Sequence, residues 1–321
     1  MPITLEEAKV GMPDHVAAGV IDTFQRSSIL MDMLPFDDAA TPVQGGGSTL
    51  AYNYVQIKTP SKAGPRKINE EYVPNEAKKE AKTAKCIPLG QAYEIDRVIA
   101  NTSGAPGEIA FQTEQAAIAT VSEFSNAVIN GDGEAAEGAT FDGLKKLLAG
   151  TDNEFVSAVD VSTSAKLDSN AQALLDEVDT LVSAIPGCNV LLMNHALRLK
   201  LRSAARRAGF YGREVNGFGV SVEYYGSIPM IDAGKHVNEL GQEVDIIPTE
   251  GGKTALYGAA VALDGLHGIS PDGQSIVNVY LPDLQAPGAV KRGEVEIVAG
   301  IALKQSRKAG VLKDIKIAAA G

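Results

Sequence analysis

The sequence contains few of the residues that carry covalent, metal-dependent or stacking chemistry. Its 321 residues include two cysteines, four histidines and no tryptophan, and 5% of them are aromatic. Cys86 and Cys188 lie far apart and outside any Cys-x-x-Cys spacing, so we expect reduced thiols, not a disulfide framework or a zinc site. The histidines share no metal-ligand spacing. We therefore expect no metal centre and no cofactor.

Long apolar runs and targeting signals are also missing from the sequence. No stretch reaches the length of a transmembrane helix. The first residues, MPITLEEAKV, are acidic, whereas a signal peptide would be basic and then apolar. We therefore expect synthesis in the cytoplasm and no membrane partner. With 45% hydrophobic residues, the chain can bury a substantial core in one large domain or two ordinary ones.

Catalytic motifs are missing too. The glycine pairs Gly131/Gly133 and Gly217/Gly219 lack the later residues of phosphate-binding and dinucleotide-binding loops, and they are typical of turns. The sequence has no Gly-x-Ser-x-Gly motif and no cysteine with a plausible histidine partner. We predict a protein that is not an enzyme. A soluble α/β enzyme that uses scattered carboxylates is a distant alternative.

Charge is distributed unevenly along the chain. The net charge is −11, yet residues 51–104 carry 9 basic and 6 acidic side chains, whereas residues 105–190 carry 3 basic and 14 acidic ones. A basic segment beside a strongly acidic one can be complementary between copies of the protein, which favours a fixed register. A solvated loop next to an acidic surface helix is an equally good interpretation of the charge alone.

Residues 49–99 predict a hairpin that leaves the body of the protein. STLAYNYVQIK (48–58) alternates like a strand, and we interpret KCIPLGQAYEIDRVI (85–99) as the strand that returns. The connection from Thr59 to Lys82 is highly charged and too long for an ordinary turn. Because an isolated two-stranded hairpin is marginal in water, it needs a surface to lie on. We expect that surface to belong to a neighbouring copy.

Helices are predicted in three further regions. The first 40 residues indicate one or two short helices, which we interpret as a second arm. A long helix is predicted over 106–129, and another over about 168–185. A third helix follows Asn194, which is a favoured N-cap residue, and ends at Gly209.

Strands are predicted mainly in the last third of the chain. NVLLM (189–193) is typical of a short buried strand, and several strand-like runs lie between 219 and 281. VEIVAGIAL (295–303) alternates throughout, and we expect GVLKDIKIA (310–318) to pair with it.

One predicted helix carries a row of basic residues. Arg198, Arg202 and Arg206 recur every four residues and so line one helix face. Nucleic-acid binding would suit such a row, but no aromatic residues interleave for base stacking and the chain is acidic overall. We favour a contact with acidic groups of an adjacent domain or subunit.

The order of these segments resembles the major capsid proteins of tailed bacteriophages, whose fold is shared with encapsulin cages and the herpesvirus capsid floor. The segments that carry the resemblance are VIDTFQRSSILMDMLPF (20–36), PRKINEEYVP (65–74), the helix 106–129, INGDGEAAEGATFDGLKKLL (129–148), NVLLMNHALRLKLR (189–202) and YGSIPMIDAG (225–234). No single motif decides the matter, but the order and spacing together are fairly specific.

The resemblance implies an α+β fold with an N-terminal arm, an extended β-hairpin loop, a long spine helix, and peripheral and axial domains. The corresponding division is an N-terminal arm (1–48), the hairpin loop (49–99), the peripheral domain with the spine helix (100–167), the axial domain (168–290) and return strands of the peripheral domain (291–321).

The resemblance also implies a structural role in a virion. Copies would self-assemble into hexamers and pentamers of an icosahedral capsid around double-stranded DNA, which they would meet only through non-specific proximity. The residues expected at contacts between copies are Lys62, Arg66, Lys67, Glu70, Glu71, Arg198, Arg202 and Arg206. Because only a short region precedes the hairpin, we expect a separate scaffolding protein, with a portal and a decoration protein as further partners. An encapsulin-like compartment is the alternative with the same fold.

Overall fold

The computed structural model describes residues 30–37, 50–101, 105–209, 211–215, 221–238, 240–271 and 276–319. The helices in these ranges are α1 (Leu30–Met33), α2 (Arg97–Asn101), α3 (Ala105–Asn130), α4 (Leu144–Leu147), α5 (Ser164–Ala184) and α6 (His195–Ala208), with a 3-10 turn at Ser306–Lys308. The strands are β1 (Phe36–Asp37), β2 (Ala51–Thr59), β3 (Lys78–Lys85), β4 (Ile87–Asp96), β5 (Glu154–Val156), β6 (Val190–Met193), β7 (Tyr211–Val215), β8 (Ser221–Tyr225), β9 (Ile228–Asp232), β10 (Lys235–Val237), β11 (Glu243–Asp245), β12 (Lys253–Ala259), β13 (Leu266–Ile269), β14 (Val277–Tyr280), β15 (Val290–Leu303) and β16 (Ala309–Lys316).

A five-stranded sheet, called the first sheet below, is built around the long strand β15. Along one edge, β15 pairs antiparallel with β4, from Val290 opposite Asp96 to Ala299 opposite Ile87. Along its other edge, β15 pairs with β14 and then with β13, and β1 adds to β13 in parallel. Three strands therefore pair directly with β15, and β1 extends the sheet beyond β13.

Helix α3 covers one face of the first sheet. Phe124 and Val128 of the helix are fully buried in one core with Ile297 and Ala299 of β15. The helix predicted over 106–129 is confirmed to within one residue at each end. Its length follows from apolar residues at helical spacing and from the confinement of proline to its first turn.

A seven-stranded sheet, called the second sheet below, has the order β5-β16-β12-β6-β9-β8-β7. β6 is buried along its whole length, as expected for the apolar run predicted at 189–193. Helices α5 and α6 pack against this sheet, with Leu181 and Leu197 in one core with Leu191 of β6. Val190 and Leu192 of β6 lie in the same core as Phe124, so the two sheets share one core, and the second sheet has a further core on its other face.

The predicted ends of α6 are both confirmed. Asn194 Oδ1 accepts a hydrogen bond from the Leu197 backbone N–H at 2.9 Å, which caps the first turn. Gly209 follows the last turn with φ of 79°, in the left-handed region that glycine adopts without a Cβ clash. Helix α5 begins earlier than predicted because Thr163 caps it, accepting from the Lys166 N–H at 3.3 Å.

The described part of the N-terminal arm folds into the subunit's own core. Within the predicted arm 1–48 the structure describes residues 30–37. Leu30 and Leu34 are buried in the same core as Phe124, and Phe36 of β1 pairs opposite Gly268 of β13. These apolar side chains pack on α3 and β13 of their own subunit, and the extent of the arm over residues 1–48 stays a prediction. The short helices predicted further upstream lie outside the described residues.

The strand that returns the hairpin is not the one predicted. β2 pairs antiparallel with β3, from Ala51 opposite Lys85 to Thr59 opposite Lys78. The predicted partner, 85–99, instead contributes β4 to the first sheet. β3 has the sequence KKEAKTAK, which lacks apolar alternation because the strand is largely exposed on both faces. We call residues 51–85 the ribbon.

The last two strands do not pair with each other as expected. After the turn Ser306–Lys308 the chain leaves the first sheet, and β16 inserts between β12 and β5 of the second sheet. Residues 309–312 are buried consecutively, which suits a strand covered on both faces better than the edge of a hairpin.

Candidate assembly surfaces

The inner face of the ribbon is anchored to the body at its base. Side chains alternate along β2, and Tyr52, Tyr54 and Gln56 are half-buried on one face. Gln56 Nε2 donates hydrogen bonds to the backbone oxygens of Leu303 and Lys304, at 2.9 and 3.0 Å. Leu303 is the last residue of β15 and Lys304 follows it, so these hydrogen bonds hold the ribbon base to the first sheet.

Aromatic and charged groups complete this anchor. The Tyr52 hydroxyl donates to Asp37 Oδ2 at 3.4 Å, and Lys304 Nζ lies 5.4 Å from the Tyr52 ring centroid. The ring of His267 packs edge-on against Tyr52, with centroids 5.8 Å apart. His267 is fully buried, and burial lowers the pKa of its imidazole, so the ring is kept neutral. Burial likewise raises the pKa of the neighbouring Cys86 thiol to about 11.

The distal part of the ribbon makes a different kind of surface. Every residue from 57 to 79 is exposed, a run of 23 residues. Apolar side chains are included: Ile68 and Val73 are each 89% exposed, and Tyr72 is 65% exposed. Exposed apolar side chains concentrated on one projecting element mark an interaction surface more often than a solvated loop.

The structure brings the five predicted contact residues of the hairpin together at the ribbon tip. Arg66 Nη1 donates to the backbone oxygens of Lys67 and Glu70, at 3.3 and 3.2 Å, and its guanidinium lies 5.2 Å from the Tyr72 ring centroid. Lys67 Nζ is 4.0 Å from Glu70 Oε1. The Lys62 N–H donates to Asn75 Oδ1 at 3.3 Å. Glu71 is exposed beside them. These contacts shape the tip but leave its charges in solvent.

The predicted arginine row on α6 lies apart from the ribbon and is engaged within the subunit. Arg202 Nη1 is 3.0 Å from Glu223 Oε1 of β8, and Arg198 Nη2 is 3.9 Å from Asp232 Oδ2 of β9. Arg206 lies in the last turn of α6. Acidic partners were anticipated from the sequence; for Arg198 and Arg202 the structure supplies them from the adjoining sheet. Their contact with another copy stays a prediction.

A charged cluster beside the ribbon base was not anticipated from the sequence. Lys146 Nζ lies 2.6 Å from Asp132, 3.0 Å from Asp142 and 3.5 Å from Glu134. Its hydrogen bonds to Asp132 and Asp142 raise the pKa of Lys146, and the reciprocal bond from Lys146 lowers the pKa of Asp132. In the sequence, the spacing of four residues between Asp142 and Lys146 could have indicated this ion pair. The cluster closes residues 131–143 into a loop after α3.

The described residues form neither a metal centre nor a membrane-spanning helix. No group of three or more histidine, cysteine, aspartate or glutamate side chains is placed to hold a metal ion in that part of the chain. None of the helices described combines the length and apolarity needed to cross a bilayer.

Known proteins resemble this chain in structure only. No family model and no curated protein matches the sequence. A chain of an encapsulin complex from Synechococcus elongatus matches with TM-score 0.65 and 15% identity, over 98% of this chain and 97% of that one. The capsid of Myoviridae phage XM1 matches with TM-score 0.59 and 12% identity, over 94% and 97%. A chain from Mycobacterium phage Ogopogo matches with TM-score 0.57 and 14% identity, over 97% and 100%.

At these identities the matches establish the fold, and they extend over nearly the whole of each chain. The predicted α+β capsid fold is confirmed by the match to phage XM1. This chain therefore has the fold of tailed-phage capsid proteins, which an encapsulin shares.

Proposed function

We propose that this protein is the major capsid protein of a tailed bacteriophage, a subunit that assembles into hexamers and pentamers of an icosahedral shell around double-stranded DNA. The observation that carries the proposal is the ribbon, which is anchored at its base and exposed over residues 57–79. The fold supports it, because solved chains with this fold form shells.

The energetics of the ribbon favour a function in assembly. A two-stranded ribbon gains little stability by itself in water, and each ordered backbone residue loses roughly 1–2 kcal/mol of conformational entropy. Within one subunit, the distal ribbon offsets that loss with few contacts, all of them exposed. Burial of Ile68, Tyr72 and Val73 against another copy would supply the missing stabilisation.

The same proposal extends to the parts of the subunit. The peripheral region would combine α3 with the first sheet, the axial region would centre on the second sheet with α5 and α6, and the ribbon would serve as the extended loop. Lys62, Arg66, Lys67, Glu70 and Glu71 would lie at contacts between copies. Arg198, Arg202 and Arg206 would form a second contact row. Scaffolding, portal and decoration proteins belong to the proposal as separate partners, with the virion as the location.

A second candidate is the shell of an encapsulin-like compartment. It is favoured by one observation: the encapsulin match has TM-score 0.65, above the 0.59 and 0.57 of the two phage chains quoted. The two candidates share the subunit and the shell and differ in contents. A capsid holds DNA that enters through a portal, whereas a compartment encloses a second protein.

The proposal is tested by expression of the chain with and without the distal ribbon. In the shortened variant, Asn-Gly replaces residues 60–77, because Thr59 and Lys78 lie opposite each other and a two-residue turn can join them. We expect the wild type to form closed shells by electron microscopy, and the variant to keep the same thermal midpoint but remain as small species. A wild type that stays monomeric under all assembly conditions, or a variant that forms normal shells, would contradict the proposal.

The contents of the shells separate the two candidates. Shells isolated from the native host are analysed for nucleic acid and for co-purifying protein. Packaged DNA, with a portal at one vertex, supports the capsid. A single enriched protein inside shells that lack DNA supports the compartment.

A further inference from the structure

A cavity of about 250 Å³ lies where the end of α3 and the short helix α4 meet the second sheet. Its walls include Asn130 of α3, Lys145 of α4, Tyr257 of β12 and Lys313 of β16, and residues 247–254 close the remaining side. The volume is several times the roughly 30 Å³ that one water molecule occupies in the liquid. None of the residues that line it belongs to the ribbon or to the first sheet.

The buried wall of the cavity carries a hydroxyl group without a hydrogen-bond partner. Tyr257 is 4% exposed, and its ring packs in the core that contains Phe124. Among the described residues, none forms a hydrogen bond with the Tyr257 hydroxyl. Burial, with the charge of Glu154 nearby, raises the pKa of Tyr257 to about 12, so the hydroxyl keeps its proton. Because Glu154 is ion-paired with Lys313, the hydroxyl points to the side of the cavity that Lys313 lines.

A buried hydroxyl that forms no hydrogen bond is unfavourable, because it has lost its contacts with water. Glu154 does not accept from Tyr257, since one of its carboxylate oxygens pairs with Lys313 and the other accepts from the Gly150 N–H at 2.6 Å. The Tyr257 hydroxyl therefore lacks an acceptor, and the cavity has room for one.

Two ammonium groups add further donors to the same space. Lys313 uses one of its three N–H donors for Glu154. Lys145 is exposed, and no residue in the described part of the chain forms a hydrogen bond or an ion pair with its ammonium group. The unused capacity on this side of the cavity thus consists of donors, two of them positively charged.

The carboxylates that line the cavity lie at its rim. Glu250 and Asp314 are both exposed, and Asp314 Oδ1 lies 3.7 Å from Lys253 Nζ. The lining contains three lysines and these two carboxylates, so it has an excess of positive charge. Donors on the inside and a small positive excess favour a small anion.

We propose that this cavity binds a phosphate group, either inorganic phosphate or the phosphate of a nucleotide. Its oxygens accept hydrogen bonds from the Tyr257 hydroxyl and from the ammonium groups of Lys145 and Lys313. A phosphate suits these donors because its oxygens are arranged tetrahedrally and can meet groups that approach from different elements, and lysine is a common phosphate ligand. The proposal goes beyond the proposed function, because it concerns the single subunit and applies to a capsid and to a compartment alike.

Thermal unfolding of the unassembled full chain tests the proposal. Sodium phosphate is titrated at constant ionic strength, with sodium chloride making up the difference. A ligand that binds only the folded state raises the thermal midpoint as its concentration increases. We expect a rise that fits a single site, and line broadening of the phosphate signal in ³¹P NMR on addition of the protein. A midpoint that depends on ionic strength alone, with no broadening, would overturn the proposal.

Two variants assign the effect to this cavity. Tyr257→Phe removes the hydroxyl alone, so we expect about tenfold or more weaker phosphate binding and a midpoint without phosphate at least as high as that of the wild type. Lys145→Gln should weaken phosphate binding in the same way. The matched controls are Tyr93→Phe, whose hydroxyl lies 2.6 Å from Thr113 Oγ1 at α3, and Lys166→Gln, an exposed lysine of α5. We expect both controls to bind phosphate like the wild type.

The outcomes are separate from those of the shell experiment. Wild-type phosphate affinity in both Tyr257→Phe and Lys145→Gln overturns the proposal, and Lys145→Gln alone decides if Tyr257→Phe does not fold. Equal stabilisation by succinate would assign the cavity to carboxylates and overturn the assignment to phosphate. Thymidine monophosphate separates the two sources: binding at least as tight as that of inorganic phosphate supports a nucleotide, and binding of inorganic phosphate alone supports the free ion. Shell formation by the wild type is unaffected by any of these results.

Discussion

The exposed apolar residues of the ribbon tip allow a quantitative prediction. Ile68→Ser with Val73→Ser should leave folding unchanged and weaken assembly. Both side chains are 89% exposed in the subunit, and surface substitutions of this kind change the free energy of unfolding by about 0.5 kcal/mol or less. On assembly, each would be buried, and burial of such a side chain contributes roughly 1.5–3 kcal/mol. The loss is then about 3–6 kcal/mol per contact.

That loss is large enough to measure without ambiguity. Each 1.4 kcal/mol corresponds to about tenfold in an equilibrium constant, so the contact weakens by about a hundredfold to ten-thousandfold. The assay is light scattering against protein concentration, with thermal unfolding of the unassembled subunit alongside. Leu240→Ser is the matched control, since Leu240 is 80% exposed on a different element. The reasoning is refuted if the tip variant assembles at the wild-type concentration, or if the control is equally impaired.

Three further predictions concern the body that holds the ribbon. Phe124→Ala should lower the free energy of unfolding by about 3–5 kcal/mol in urea titration, because the ring is fully buried between Phe36 and Phe141; a change below 1 kcal/mol would contradict the packing. Asn194→Ala should lower the free energy of unfolding by about 2–4 kcal/mol in the same titration, since it removes the cap of α6 and leaves the buried Ile247 oxygen without its donor. Asn194→Asp should keep the cap of α6 but lose the hydrogen bond to Ile247. Burial lowers the pKa of His267 in the folded state below the usual 6.5. Its contribution to the free energy of unfolding is therefore fully present above pH 6.5 and falls as the pH drops toward the folded-state pKa, by at most about 1.4 kcal/mol per pH unit. His267→Gln should remove this component from the dependence of the unfolding free energy on pH, and an unchanged dependence would refute it.

Features with local causes could be predicted from the sequence. The long helix α3 follows from apolar spacing within its own 26 residues. Asn194 and Gly209 fix the ends of α6 through contacts with their immediate neighbours. The tip residues of the ribbon were also predictable, because a long charged connection between strands has few interpretations in a folded domain.

Strand pairing could not be predicted in the same way. The partner of β2 is β3, a charged segment whose pairing depends on backbone hydrogen bonds and leaves no apolar pattern. The partner of β4 is β15, about 200 residues further along the chain. β16 does not pair with β15, because it pairs with β12 in the second sheet. For β4 and β16 the deciding partner is distant in sequence, and periodicity within a segment carries no information about it.

The face of the first sheet opposite α3 is marked in the sequence by small residues on β4. In β4, Pro88, Gly90 and Ala92 occupy every second position, which places three small residues on one face of a strand. A face of small residues is poor at packing a helix. Recognising it required knowing that β4 is a strand of the main sheet and not the return of the ribbon.

Anchored and exposed side chains alternate along β2, so the register of this strand decides which side chains are exposed. Tyr52, Tyr54 and Gln56 hold the ribbon to the body, whereas Val55 and Ile57, on the opposite face of the strand, are exposed. A slip of one residue would exchange the two sets. The register of β2 against β3 shifts between Ile57 and Thr59, just beyond the last anchoring contact at Gln56. Body contacts therefore determine which face of β2 is exposed as far as Gln56.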